Sequence, residues 1–277
     1  MEYTKDSIDK LDRDSRQWKV IRWLSAPDPS INYNKALQQR HKGSGLWFLQ
    51  SPAFAEWKTC SNSILWLHGI PGCGKTILSS TIIEDLNQTI SLPETLLYFY
   101  FDFNDIKKQS LNNMVRSLIS QLYYRLESTR EEVDSLFSSC ENECRQPTTE
   151  SLCSLFLRSI KQADRVLIVL DALDECKTRK GDQTEGLLSW IRGFLDSELI
   201  NVHLLVTSRP EQDIKTALEA RMRTEGIIPL QSELLVSDIH AYIRARLRED
   251  DGFMRWRDRP EVQNEIETRL AEKAHGM

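Results

Sequence analysis

The sequence predicts an α/β fold, a parallel β-sheet with helices on both faces, from three observations. Strand-like and helix-like segments alternate through the middle of the chain. Two of the strands, Val166–Leu170 and the run from Val202, are continuous apolar stretches, as strands buried on both faces require. A third, Ile64–Leu67, runs straight into the glycine-rich turn Gly69-Ile-Pro-Gly-Cys-Gly-Lys-Thr76 and then a helix, the order of a right-handed crossover unit.

Taken in order, SRQWKVIRWL (Ser15 to Leu24) carries Trp18, Ile21 and Leu24 at helical spacing and stops at the breaker APDPS. A loop with Gly43 and Gly45 follows, then an amphipathic turn around Phe54 and Trp57 that leads into the first strand. After the glycine turn a helix is expected from Lys75 to about Asn87, and a strand from Thr95 to Phe103. Helices are expected from roughly Ser110 to Glu127, Glu131 to Ser139 and Thr149 to Gln162, ahead of the strand Val166–Leu170. A helix from Glu185 to Leu195, the strand from Val202, a helix near Glu211 and a strand GIIPL from Gly226 complete the series. Beyond Ser237 the pattern is helical with no strand, and it reaches Met277 without a capping signal. The expected divisions are a lead-in over 1–60, a core over 61–236 and the start of a helical domain over 237–277, apparently truncated.

Bulk properties narrow the function. The chain has 277 residues, 36 basic against 41 acidic, so its net charge of −5 offers no global field for nucleic acid or an anionic membrane. No apolar run approaches the ~20 residues of a membrane span, and the first residues are charged throughout, without a signal core. The six scattered cysteines lack the CxxC pairs of a zinc site and read as free thiols. These features point to a cytoplasmic protein.

Gly69 to Thr76 matches G-x-x-x-x-G-K-[ST], and its position between strand and helix is the context in which that pattern cradles phosphates. Gly69, Gly72, Cys73 and Gly74 would present backbone N–H groups, and the helix start adds its positive end. Lys75 would reach the β- and γ-phosphates, and Thr76 would offer its hydroxyl to Mg²⁺. Asp171 ends a buried strand at the edge where ligands sit in parallel sheets, the place of a magnesium-associated acid. Asp174 and Glu175 follow, and either could orient or deprotonate the attacking water. Arg209, delivered to the same edge with Thr207 and Ser208, could sense the γ-phosphate; the alternative pairs it with Glu211 on the surface. Arg255 to Arg259, RWRDR, read as a solvated helix face with one packed Trp, and His68 as a packed or hydrogen-bonded histidine. No guanine-reading Asn-Lys-x-Asp appears, since Asn34-Lys35 is followed by Ala36-Leu37.

LWLHGIPGCGKT, VLIVLDALDEC and LLVTSRPE, preceded by NYNKALQQRHKGSGLWFLQSPAFAEWK, resemble the NACHT-type P-loop NTPase domains of fungal NOD-like receptor (STAND) proteins, also called nephrocystin-3-like N-terminal domains. The similarity runs from about Trp18 to the end. It implies a five-stranded sheet in the order 5-1-4-3-2, with the Arg209 strand between the P-loop strand and the Asp171 strand. It also implies ATP/ADP and Mg²⁺ as cofactors, with Lys75 and Thr76 as the Walker-A pair and Asp171 as the Walker-B acid. Asp174 and Glu175 match the extra acids of that motif, and Arg209 the sensor arginine. The segment RHKGSGLWFL resembles the stretch that packs near base and ribose.

The resemblance implies a Mg²⁺-ATP switch that hydrolyses slowly and signals through protein partners or self-association, in defence, self/non-self recognition or programmed cell death. The alternative is a truncated nucleotide-binding scaffold acting only through protein interactions. A turnover enzyme such as a motor or kinase is disfavoured, because no acceptor-substrate motif is present. Family members normally continue into a winged helix and repeats, so this chain is expected to exchange ADP freely. Ile239, Ile243, Leu247, Ile266 and Leu270 are expected to be exposed and to favour weak self-association.

Overall fold

The computed structural model describes residues 14–140, 144–182, 185–197, 199–230, 232–256 and 258–274. The charged stretch through residue 13, Arg257 and the last three residues lie outside the described residues. In chain order the elements are α1 (residues 14–24), α2 (Ser30–Gln39), α3 (Leu46–Leu49), α4 (Pro52–Thr59), β1 (Ser63–His68), α5 (Lys75–Thr89) and β2 (Glu94–Tyr100). They continue with α6 (Leu111–Arg125), α7 (Glu127–Ser139), α8 (Thr149–Lys161), β3 (Arg165–Asp171), α9 (Leu187–Leu195) and β4 (Val202–Ser208). The last are α10 (Gln212–Glu219), β5 (Ile227–Pro229), α11 (Ser232–Glu249) and α12 (Pro260–Ala274).

The strands form one five-stranded sheet in the order β2-β3-β4-β1-β5, which is the order 5-1-4-3-2 read from the other edge. Its interior strands β3 and β4 are buried along almost every residue, so their apolar runs are continuous where a half-exposed strand would alternate. β1 runs parallel to both neighbours, with Leu67 beside Thr207 of β4 and beside Ile228 of β5.

The chain forms two compact units. The first comprises Met1–Pro29, Ser91–Ile168 and Glu175–Val202. Two of its helices, α6 and α8, begin where hydroxyls accept orphan N–H groups: Ser110 from Asn113 N, and Thr148 from Ser151 N. Of the three residues at helical spacing, Leu24 is buried, Ile21 is half-buried and Trp18 is 76% exposed, and Val20 and Trp23 complete the buried face of α1. Trp23 decides this. Its ring meets Phe137 edge-on with centroids 5.3 Å apart, and its Nε1 donates to Arg145 O. β2 stops at Tyr100, short of the expected Phe103, because Asp102 N turns back to donate to Lys108 O.

The second unit comprises Ser30–Ile90, Val169–Asp174 and His203–Met277. It contains α2, a helix that the sequence pattern does not predict; only Ala36 is buried in it, so no apolar stripe advertises it. Ser51 caps α4 by accepting from Phe54 N, with Pro52 in the first turn. The expected exposure of the C-terminal apolar residues is corrected. Ile243 and Leu247 are buried with Ala271, and Ile239, Phe253 and Ile266 pack against them. Of the five, Leu270 alone is strongly exposed, at 46%. α11 and α12 cover each other's apolar stripes. Glu267 ties the pair, accepting from His240 Nδ1 at 2.6 Å and from Arg244 Nε at 2.8 Å.

Among the described residues no helix is long and apolar enough to cross a membrane, and the six cysteines are free.

Candidate nucleotide site

Every residue from Gly69 to Thr76, with Asp171, Asp174 and Arg209, belongs to the second unit. β1 ends at His68 beside Ser208, and Gly69 N donates to Ser208 O at 3.2 Å, so the glycine loop leaves the sheet next to Arg209. Gly72 and Gly74 have φ of +81° and +87°, a region that side chains resist. No heavy atom lies within 4 Å of where a Cβ would stand at either, so the loop backbone is open to a close-approaching group. α5 starts at Lys75, directly after this turn. The first N–H groups of a helix have no partner inside it, and they carry the positive end of its dipole. Phosphate oxygens suit that surface.

Lys75 lies across the loop. Its Nζ donates to Gly69 O at 2.7 Å and Ile70 O at 2.8 Å, and stands 3.6 Å from Cys73 Sγ. A Cβ on Gly69 would come within 2.6 Å of that sulfur, so the base of the loop has no room for a larger residue. His68 sits against Trp66, with ring centroids 4.5 Å apart, and its burial lowers its pKa.

Asp171 is the centre of the arrangement. It is 1% exposed and accepts three hydroxyl hydrogen bonds: Thr76 Oγ1 at 2.8 Å, Ser79 Oγ at 2.6 Å and Thr207 Oγ1 at 2.7 Å. Burial pushes its carboxyl pKa up, while the bonds from Ser79, Thr207 and Thr76 and the charge of Lys75 pull the other way. Ala172, the next residue, is left-handed at φ +58°, and its N–H donates to Thr207 Oγ1 at 2.9 Å. That turn redirects the chain so that Asp174 meets Arg209.

Asp174 Oδ1 accepts from Arg209 N at 2.9 Å, and Oδ2 lies 3.0 Å from Arg209 Nε. The acid side chain is 5% exposed and the arginine 45%. Arg209 pairs with Asp174 through its side chain; its contact with Glu211 is a backbone one, from Glu211 N to Arg209 O. Glu175 belongs to the first unit, where its Oε2 accepts from Phe103 N at 2.9 Å.

The structure thus brings Lys75, Thr76 and Asp171 to one place and Asp174 to Arg209. Sequence reasoning missed Ser79 as a partner of Asp171. The signal was available, since Ser79 stands three residues after Thr76 and so on the same face of α5. Thr207 was placed at the right edge without its role. A hydroxyl and a buried carboxylate are hard oxygen ligands of the kind magnesium takes, and the open glycine loop fits a polyphosphate, so these residues fit Mg²⁺ with ATP or ADP. Among the described residues no cluster of three or more His, Cys, Asp or Glu forms a metal site from the protein alone.

Residues 43–209, more than half of the chain, match the family described as nephrocystin 3, N-terminal. The chain belongs to that family. The nephrocystin-3 N-terminal match takes in the glycine loop, Asp171, Asp174 and Glu175, and ends on Arg209. The chain is also 28% identical over 217 residues to the vegetative incompatibility protein HET-E-1 of Podospora anserina, across 74% of this chain and 15% of that protein. It therefore spans about 15% of the length of this curated relative. Together with the sheet order, these matches bear out the resemblance to NOD-like receptor proteins and a P-loop NTPase-like fold.

Proposed function

We propose that this chain is the nucleotide-binding signalling module of a NOD-like receptor-type protein, a slow Mg²⁺-dependent ATP/ADP switch working in the cytoplasm. The observation that carries the reading is the 2.8 Å bond between Thr76 and the buried Asp171, at the mouth of the open glycine loop. It joins the hydroxyl and the carboxylate that would hold the metal. Bound Mg²⁺ would neutralise charge on the terminal phosphate oxygens. Gly72, Gly74 and the first N–H groups of α5 would bind the phosphates. Lys75 would exchange its bonds to Gly69 O and Ile70 O for phosphate oxygens. Arg209, oriented by Asp174, would offer its terminal nitrogens to the γ-phosphate and so distinguish ATP from ADP. Because Asp174 meets Arg209 with both oxygens, the role of orienting water falls to Glu175.

The incompatibility role in the name of the HET-E-1 relative supports self/non-self recognition, defence or programmed cell death as the setting, with protein partners or self-association as the output. Titrating labelled ATP and ADP against the parent chain and Lys75→Ala tests the reading. Binding should fall by about 100-fold or more, the loss of a charge-assisted contact of about 3 kcal/mol. Equal affinities would remove the phosphate-cradle assignment.

A further inference from the structure

We propose that Gln109 is a positioning residue for Glu175, a role that rests on the reading of Glu175 as the water-orienting acid. All the contacts concerned lie in the first unit. Glu175 Oε2 is held by the backbone N–H of Phe103, which stands past the end of β2 in a loop with no strand neighbour to fix it. Gln109 helps to fix it, beside the bond from Asp102 N to Lys108 O. Its Nε2 donates to Phe103 O at 2.6 Å and to Asp102 O at 3.1 Å, gripping the two carbonyls on either side of the N–H that Glu175 uses. Its backbone oxygen accepts from Lys177 N at 2.8 Å and lies 3.6 Å from Cys176 Sγ, so the same residue also holds the chain that follows Glu175. Gln109 therefore ties the acid's hydrogen-bond donor to the segment that carries the acid.

Gln109 is 4% exposed, and its Oε1 is buried without a hydrogen-bond partner. A buried acceptor left unmet is unfavourable, and an apolar side chain of the same length would avoid it. What the apolar side chain lacks is the Nε2 donor, and that donor is the part of Gln109 that reaches Phe103. Side chains that hold a reacting group to within a fraction of an ångström act on turnover more than on binding.

The test uses the full chain with Mg²⁺-ATP. Glu175→Gln should lower kcat by about 100-fold, in the range of general-base loss. Gln109→Met, matched in length, should lower kcat by about tenfold and leave KM and ATP affinity within about twofold. In the double variant the Gln109 effect should vanish, leaving the loss of Glu175→Gln alone. Gln109→Asn keeps the amide but shortens its reach, and should fall between parent and Gln109→Met; it supplies the reading should the Met variant not fold. A Gln109 variant at the parental rate, or losses that multiply in the double variant, would overturn the positioning role while Glu175 keeps its own. Hydrolysis at the parental rate by Glu175→Gln, or none by the parent, would remove the reading of Glu175 and the positioning role with it.

Discussion

Asp174 holds Arg209 at two atoms, by the backbone N–H at 2.9 Å and by Nε at 3.0 Å. The acid is almost wholly enclosed and the guanidinium is near half-exposed, so the carboxylate is the fixed partner and the arginine the one it aims.

Asp174→Asn should therefore act on nucleotide discrimination before it acts on the chemical step. Losing the aim of Arg209 should reduce the preference for ATP over ADP by several-fold, roughly 1 kcal/mol for a partly exposed ion pair. Arg209→Ala should do the same, and the double variant should add little, since one interaction is lost in all three. Calorimetric titration with ADP and an ATP analogue gives the cycle. Additive losses would mean that the two residues act separately.

Asp171 predicts a pH dependence of stability. Its pKa is raised in the fold by burial, so the native state binds this proton more tightly than the unfolded chain. Its contribution is then fully present below the ordinary aspartate value of about 3.9 and is lost as pH rises through the raised value. In magnesium-free buffer, Asp171→Asn should remove that loss, because its amide carries no charge to desolvate. The variant should melt higher than the parent at neutral pH and no higher at the acid end. Magnesium-dependent nucleotide binding should at the same time fall, because a neutral amide is a poorer oxygen ligand for a hard dication than a carboxylate. Melting curves across pH, with nucleotide titrations at pH 7, check both halves; an Asp171→Asn chain that melts lower at neutral pH would show that the three hydroxyl bonds outweigh the burial.

How much of this was legible in the sequence follows the reach of each interaction. The loop Gly69 to Thr76, the strand ending in Asp171 and the strand before Arg209 are written in local pattern, and each stands where the pattern places it. Hydroxyl partners at other points in the chain are harder to read: Ser79 and Thr207 reach Asp171 from 92 and 36 residues away, and short polar side chains leave no periodic trace. The Asp174–Arg209 pair is of the same kind, because both charges had several candidate partners. Helix α2 was missed for a different reason, since a helix with one buried residue has no amphipathic stripe to detect. At Trp18 the spacing was right for a helix and wrong for its buried face, because Trp23 could reach Phe137 and Arg145 O.

The C-terminal helices supply the last prediction. Their apolar residues face one another: Leu247 is 4% exposed, and Ile243 and Ala271 complete the cluster. That removes the basis for expecting these residues to drive self-association, which needs a contiguous exposed patch. Leu247→Ala should therefore act on the helix pair itself, lowering its stability by about 2 kcal/mol, the low end for a buried leucine in a small cluster. The Glu267 bonds to His240 and Arg244 would survive the change, so the pair should loosen without separating. Hydrogen exchange is the fitting measurement, because it reads α11 and α12 apart from the sheet. Protection should fall in both helices together and stay unchanged in β3 and β4. The parent should sediment as a single species over a dilution series, and the Leu247→Ala chain should become more prone to associate as the cluster opens. Self-association of the parent abolished by polar substitution of Ile243 or Leu247, with the helices still formed, would place those residues on the surface after all.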